Sequence, residues 1–294
     1  MSNAVASVAI ISAETILALT PIAIKKTPLD PTSAIWSRLL SSAFLGYALT
    51  GDRQIAPKEW NGAIALGYTN LLHVASSYES FRHLPAGQAM SLLYTYPLWT
   101  LVINHLLNGE QIASRSYGYM GLAAFGSILL NLDPGIAAPT AIGREVQPVW
   151  GLFMGIIMAL TEATMHAILK GLKWLDPAKS VWVVNSSASL WFGAALFIQE
   201  LVHDGKSERM LQSGTWQDAL LLTAFHSVTL FSGYWLRFFA VPRLSTTTYS
   251  ILSYSGLLAS YVFGLVFLGE RPGWMSVLGA MIIVGAGLAL ELLK

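Results

Sequence analysis

Two carboxylates lie where a lipid bilayer would have to accommodate them. Glu14 sits in the middle of the apolar run from Ala4 to Ile24, and Glu162 in the middle of the run from Pro148 to Leu169. A charged carboxyl group at the centre of a membrane helix costs about 2.5 to 3.5 kcal/mol even on insertion scales, so each needs a polar neighbour, water or a function. Facing a shared cavity, the two could exchange protons or bind a cationic group; buried between helices, each would be a hydrogen-bonded structural residue. His166 follows Glu162 by one helical turn on the same face, a spacing that permits a shared proton or two metal ligands. Nothing nearby completes a metal set, so no metal and no other cofactor is expected.

Further polar residues recur at helical spacing. Asn70, His73 and Ser77 fall on one face of an apolar segment, and His226, Thr229 and Gly233 fall on one face of another. Such stripes either line a cavity or hydrogen-bond between helices. Arg38, with Asn185 as its counterpart later in the chain, could hold an anionic group or a carboxylate such as Glu14, or could snorkel to the membrane surface. Tyr94, Tyr96, Trp99, Tyr249 and Tyr254 offer aromatic walls suited to a flat or cationic ligand. Arg38 is the one clearly intramembrane cation on this reading, with Arg82, Lys170 and Arg237 near helix ends. Glu110 and Glu270 read as loop and capping residues.

The elements that must position these groups are membrane helices. Hydrophobic residues make up 54% of the chain and charged residues 11%, with a mean hydropathy of +0.55, whereas soluble domains are about a quarter charged. A net charge of +1 and the absence of cysteine leave no basic field for nucleic acid, no disulfides and no thiolate chemistry. The predicted spans are Ala4 to Ile24, Thr32 to Leu49, Trp60 to Phe81, Ala86 to Leu107, Ser116 to Leu132, Pro148 to Leu169, Ser180 to Leu201, Trp216 to Phe239, Ser245 to Leu268 and Trp274 to Leu293. The first run is longer than a signal-peptide core and reads as a retained helix. Lys and Arg fall slightly more often in connections on the side of the termini, which favours N- and C-termini in the cytoplasm of a multi-pass protein of the cell membrane.

The chain also repeats itself. Leu29-Asp30-Pro31 followed by Trp36 reappears 146 residues later as Leu175-Asp176-Pro177 followed by Trp182. Glu162 follows Glu14 by 148 residues, and Trp216 and Tyr234 follow Trp60 and Tyr78 by 156. Asn108-Gly109-Glu110 and Leu268-Gly269-Glu270 close corresponding helices. Residues 1–133 and 148–294 therefore read as two copies of one five-helix unit joined by a linker at 134–147. Since five is odd, the copies enter the membrane from opposite sides. The fold class is an all-α membrane protein of ten transmembrane helices in two inverted repeats.

These features resemble the drug/metabolite transporter superfamily, in particular its ten-helix EamA-like members. The resemblance is carried by Leu265-Val266-Phe267-Leu268-Gly269-Glu270 with Trp274, Gly279, Gly285 and Gly287, and in the first half by Pro85-Ala86-Gly87-Gln88-Ala89, Pro97, Gly109-Glu110, Gly121 and Gly126. Arg38 also falls where these transporters commonly carry an arginine. Gly256 stands where the first half has Pro97, which predicts that the two gating helices kink differently. A fainter similarity links Ser12-Ala13-Glu14 to the first helix of the small multidrug resistance pumps. The resemblance implies a small-molecule transporter, amino-acid-like solutes first, with nucleotide-sugar or sugar-phosphate antiport as the alternative.

No GxxxxGK[ST], HExxH or GxSxG sequence occurs, so neither nucleotide-driven transport nor an intramembrane hydrolase is expected. A non-transporting scaffold or receptor is the reading from another class. The expected partners are a small-molecule substrate and the lipid bilayer. Small residues four apart, Gly285 and Ala289 with Ala123 and Ser127, allow either a homodimer or close internal packing.

Overall fold

The computed structural model describes residues 3–108, 114–132, 147–172, 174, 176–202, 214–244 and 246–292. Gly109, Glu110, Leu175 and most of the predicted linker lie outside the described residues. Among the described residues the chain is all helix, with no strand. Each predicted span is occupied by one helix or by an interrupted pair. In the first half these are α1 (Asn3–Leu17) with α2 (Thr20–Lys26), α3 (Pro31–Leu49), α4 (Trp60–His83), α5 (Ala86–Leu93) with α6 (Tyr96–Asn108), and α7 (Ser114–Leu132). In the second they are α8 (Pro148–Leu172), α9 (Pro177–Val202), α10 (Trp216–Phe225) with α11 (Phe231–Ala240), α12 (Thr246–Phe263) and α13 (Trp274–Leu292).

Local chemistry accounts for the starts and interruptions. In the repeated Leu-Asp-Pro motif the aspartate caps and the proline opens a helix. Asp30 accepts the Ser33 amide at 2.9 Å, and Asp176 accepts the Ala178 amide at 2.9 Å. Pro21 cannot donate to the preceding turn, and α1 stops at Leu17 before the chain resumes as α2. Pro97 has the same consequence, and the break between α5 and α6 leaves Tyr94 at the end of α5. As expected from Gly256, α12 behaves differently and runs unbroken past that position. It ends instead in a π-helical turn, Gly264–Leu268, closed by Gly269 in the left-handed region at φ 67°. A second π turn, His226–Leu230, joins α10 to α11.

The halves interlock. α4 packs on α8 and α9, α1 on α11 and α12, α5 and α6 on α8, α3 on α9, and α7 on α13. The repeated tryptophans take part crosswise: Trp36 of α3 meets Phe192 of α9 at 5.1 Å between ring centroids, and Trp182 of α9 meets Tyr47 of α3 at 5.5 Å. Close approach of α3 and α9 depends on Gly46, where a Cβ would lie 2.6 Å from the Trp182 backbone nitrogen. Of the small residues considered for dimerisation, Ala123 is buried against Leu98 and Ala286, while Gly285 is exposed.

Large apolar side chains such as Phe44, Leu106, Val149, Phe197, Leu221 and Val266 remain exposed around the bundle, as lipid-facing residues are. Among the described residues, the helical segments Ala4–Lys26, Pro148–Leu172, Pro177–Glu200 and Trp216–Ala240 are long and apolar enough to cross a membrane.

Candidate substrate and proton site

The two predicted glutamates converge on one guanidinium. α1 carries Glu14, α8 carries Glu162, and α11 carries Arg237 between them. Arg237 donates from Nε to Glu14 Oε1 at 2.8 Å and from Nη2 to Glu14 Oε2 at 2.7 Å. Its Nη1 donates to Glu162 Oε1. Glu14 and Glu162 are fully buried and Arg237 is 2% exposed. The guanidinium fork therefore serves two carboxylates, each of which would be costly without a counter-charge.

This corrects the expectation that Arg38 is the one intramembrane cation. Arg237 is three residues from the end of α11, but that end is packed on α1, inside the protein. A sequence signal existed: the stripe His226, Thr229, Gly233 reaches Arg237 at its next four-residue step. The repeat offset of 156 pairs Arg237 with Phe81, so duplication alone does not call for a charge there.

Each carboxylate has a second set of neighbours. The Tyr94 hydroxyl donates to Glu14 Oε2 at 2.6 Å. Tyr94 fits because α12 has Gly256 opposite, where a Cβ would lie 1.9 Å from the tyrosine oxygen and 3.0 Å from the Glu14 Cβ. Tyr254 lies beside Tyr94 at 6.1 Å between centroids. Glu162 Oε1 is 3.3 Å from His166 Nε2, the contact expected from their one-turn spacing. Glu162 Oε2 is 3.5 Å from His73 Nδ1, which also meets the Met158 carbonyl at 3.2 Å. His166 in turn meets the Tyr249 hydroxyl at 3.3 Å and packs edge-on against Tyr96.

Arg38 joins the network by a different route from the one expected. Its Nη2 donates to the Tyr234 hydroxyl at 2.9 Å, and that hydroxyl lies 3.4 Å from His73 Nε2. Arg38 and Arg237 lie 5.5 and 5.4 Å from the Tyr234 ring centroid, so one aromatic ring is shared by two guanidiniums. Arg38 is 3% exposed and does not snorkel. Asn185 pairs with Asn70, whose Nδ2 donates to Asn185 Oδ1 at 3.3 Å.

His226 forms a neighbouring group with Ser37 on Nδ1 at 3.0 Å and Tyr78 on Nε2 at 3.2 Å. Thr229 does not join it: its hydroxyl donates back to the Phe225 carbonyl at 2.6 Å. The π turn adds a residue to the helical register here, and Thr229 is half-buried while His226 and Leu230 on either side are buried.

A cavity of about 30 Å³ lies against Arg38, His73, Ser77, Phe81, Tyr234 and Arg237. It has room for about one water and none for a metabolite. Arg38 reaches it from α3, while no described residue of α12 lines it. Among the described residues no His, Asp and Glu cluster is arranged to hold a metal ion.

Beyond the centre, charged residues tie the halves together at both ends. Glu270, in the turn before α13, accepts the Ala86 amide at the start of α5 with both oxygens, at 3.1 and 2.8 Å. It is also 3.5 Å from Lys25 Nζ at the end of α2. It is thus a cap, as expected, but of a helix in the other half. At the opposite end Lys179 donates to Asp52 at 2.7 Å and Thr50 to Asp176 at 2.6 Å.

Comparison with known proteins agrees with this architecture. An uncharacterized protein of Pseudomonas aeruginosa is 28% identical over 273 residues, covering 89% of this chain and 86% of that protein. A solved crystal structure shares the fold, with a TM-score of 0.66, 15% identity and 98% coverage of both chains. The model of the EamA-like transporter family matches residues 5–132 and again residues 149–290, one match to each half. With both halves matched, the chain belongs to the EamA-like transporter family, within the drug/metabolite transporter superfamily, and is an integral membrane protein.

Proposed function

We propose that the protein is a secondary transporter of the cell membrane, with ten spans in two inverted halves and both termini in the cytoplasm. It moves a small polar or amphiphilic metabolite, amino-acid-like solutes first, by alternating access coupled to protons. The observation that carries this reading is the buried Glu14–Arg237–Glu162 bridge, which joins residues of both halves, as sites at a repeat interface do. Packing supports the inverted arrangement: α4 on α8 has its counterpart in α11 on α1, and α5 and α6 on α8 have theirs in α12 on α1.

The chemistry follows from charge. A proton arriving on Glu14 or Glu162 weakens that carboxylate's hold on Arg237, and a cationic group entering the site does the same. Either event loosens the contact that fastens α11 to α1 and α8, so occupancy and helix position become coupled. In the arrangement seen, Lys25, Glu270 and Ala86 tie the halves at one end and Asp52 with Lys179 tie them at the other. Access from either side requires one of these ties to part.

The test is uptake and counterflow of labelled amino acids, hydrophobic cations and sugar phosphates in proteoliposomes, with and without a pH gradient. Saturable, gradient-driven flux of amino acids that is lost in the double variant Glu14→Gln, Glu162→Gln is the expected result. Flux confined to sugar phosphates would favour the antiport reading, for which Arg38 and Arg237 on the shared Tyr234 ring provide the cations. Unchanged pH-dependent flux in the double variant would end the proton-coupling assignment.

A further inference from the structure

We infer that Arg237 is an internal counter-ion occupying the cation site formed by Glu14 and Glu162, and that it makes the carrier select solutes bearing both an ammonium and an acidic group over bare amines. This inference rests on the transport reading above.

Three observations converge on it. First, every nitrogen of the Arg237 guanidinium is engaged by the two carboxylates. The three carboxylate oxygens that face Arg237 accept from it, and the fourth, Glu162 Oε2, lies 3.5 Å from His73 Nδ1, so a substrate ammonium that bridges both carboxylates must displace the guanidinium. Second, the four charged side chains of the central network, Glu14, Glu162, Arg237 and Arg38, sum to zero. In a site buried to this degree, added uncompensated charge is strongly opposed. Third, the duplication places Phe81 at the position equivalent to Arg237, and both line the same cavity. The cation is thus an addition peculiar to one half rather than a requirement of the repeated helix.

The binding steps follow. An entering ammonium takes the place of Arg237 on one or both carboxylates. The freed guanidinium is tethered on α11 beside Arg38 and the cavity, where it faces whatever the ammonium is attached to. If that is an acidic group, Arg237 and Arg38 receive it, and the total charge stays at zero. If the solute is a bare amine, the site is left with an excess positive charge and two guanidiniums without a full complement of anions. Apolar residues beside the cavity, Leu17, Phe81, Met90 and Leu93 among them, accept an aliphatic side chain.

The test uses three solutes of matched shape: leucine, 3-methylbutylamine, which lacks the carboxylate, and 4-methylpentanoate, which lacks the ammonium. Binding to the purified full-length protein in nanodiscs is measured by titration calorimetry for wild type, Arg237→Lys and Arg237→Gln. Wild type and Arg237→Lys are expected to bind leucine at least about tenfold more tightly than either analogue, the scale on which an unpaired buried charge acts. Arg237→Gln leaves the network one negative charge in excess, and its ratio of amine to leucine affinity is expected to rise by at least about tenfold. A purely structural role for Arg237 would weaken all three ligands together without moving this ratio. If Arg237→Gln does not yield a monodisperse protein, the ranking of the three ligands by wild type and by Arg237→Lys carries the test. An unchanged ratio in folded Arg237→Gln, an equal or greater affinity for the amine in wild type or Arg237→Lys, or no binding of any of the three would overturn the inference. Flux of a solute without an ammonium group in the proteoliposome panel would overturn it while leaving transport intact, whereas absence of all flux would overturn the transport reading itself.

Discussion

Tyr78 and Tyr234, equivalent residues 156 positions apart, each present a hydroxyl to Nε2 of a histidine on the other's helix: Tyr78 to His226 at 3.2 Å and Tyr234 to His73 at 3.4 Å. The contacts are reciprocal, but their surroundings are not. Tyr234 also receives a hydrogen bond from Arg38, while Tyr78 donates to the backbone carbonyl of Ala34 at 3.3 Å. The duplicated scaffold thus holds one charged and one neutral version of the same contact.

That asymmetry predicts unequal costs for removing the two hydroxyls. Tyr78→Phe should lower stability in detergent by about 0.6 kcal/mol, the average for a hydrogen bond between membrane helices. Tyr234→Phe should cost about 1.5 to 3 kcal/mol, because a buried guanidinium loses its acceptor. Thermal or denaturant unfolding of the two variants decides it, and equal losses would mean that Arg38 finds another acceptor at no cost.

Gly256 and Tyr94 should be coupled. Gly256→Ala places a methyl group on the tyrosine oxygen and is expected to cost about 1 to 3 kcal/mol. In a Tyr94→Phe background the obstructing oxygen is gone, so the same substitution should cost less, with a coupling of at least about 1 kcal/mol in a double-mutant cycle. Additive losses would show that α12 yields at this point without disturbing Glu14.

Removing the shared cation should be worse than removing either anion. Arg237→Met leaves two buried carboxylates without their counter-charge and is expected to destabilise by about 3 to 5 kcal/mol. Adding Glu14→Gln and Glu162→Gln should recover part of that loss, since neither position then holds a buried carboxylate without its counter-charge. Melting temperatures of the single, double and triple variants test this, and a triple variant no better than Arg237→Met would mean that packing rather than charge sets the cost.

Glu270 should give the protein a pH-dependent component of stability. Burial pushes its carboxyl above the ordinary 4.5, against the pull of Lys25 and the amides of Ala86 and Gly87. The native state then holds this proton more tightly than the unfolded chain does, so between 4.5 and the raised native value stability declines as pH rises. Relative to wild type, Glu270→Gln should gain in melting temperature as pH increases through that window. A relative loss would mean that the charged pair with Lys25 outweighs the burial of Glu270.

The class of protein was legible from the chain alone, because apolar runs of membrane length and helical periodicity are local properties. The same holds for the contact between Glu162 and His166, which one turn of helix dictates. Glu14 and Glu162 could be singled out because a charge in an apolar run is conspicuous wherever the helix packs. Arg237 was not, since three residues from a helix end it looks like a surface cation. Whether that end meets water or the core depends on how α11 lies against α1, a contact between residues 223 apart in sequence. The π turn at His226–Leu230 was announced by no local residue pattern. The sequence determined which groups a bilayer would oblige the protein to satisfy. Only the interlocking of the two halves decided that one arginine satisfies both glutamates, because the geometry of that bridge is set by packing between helices and not by spacing along any one of them.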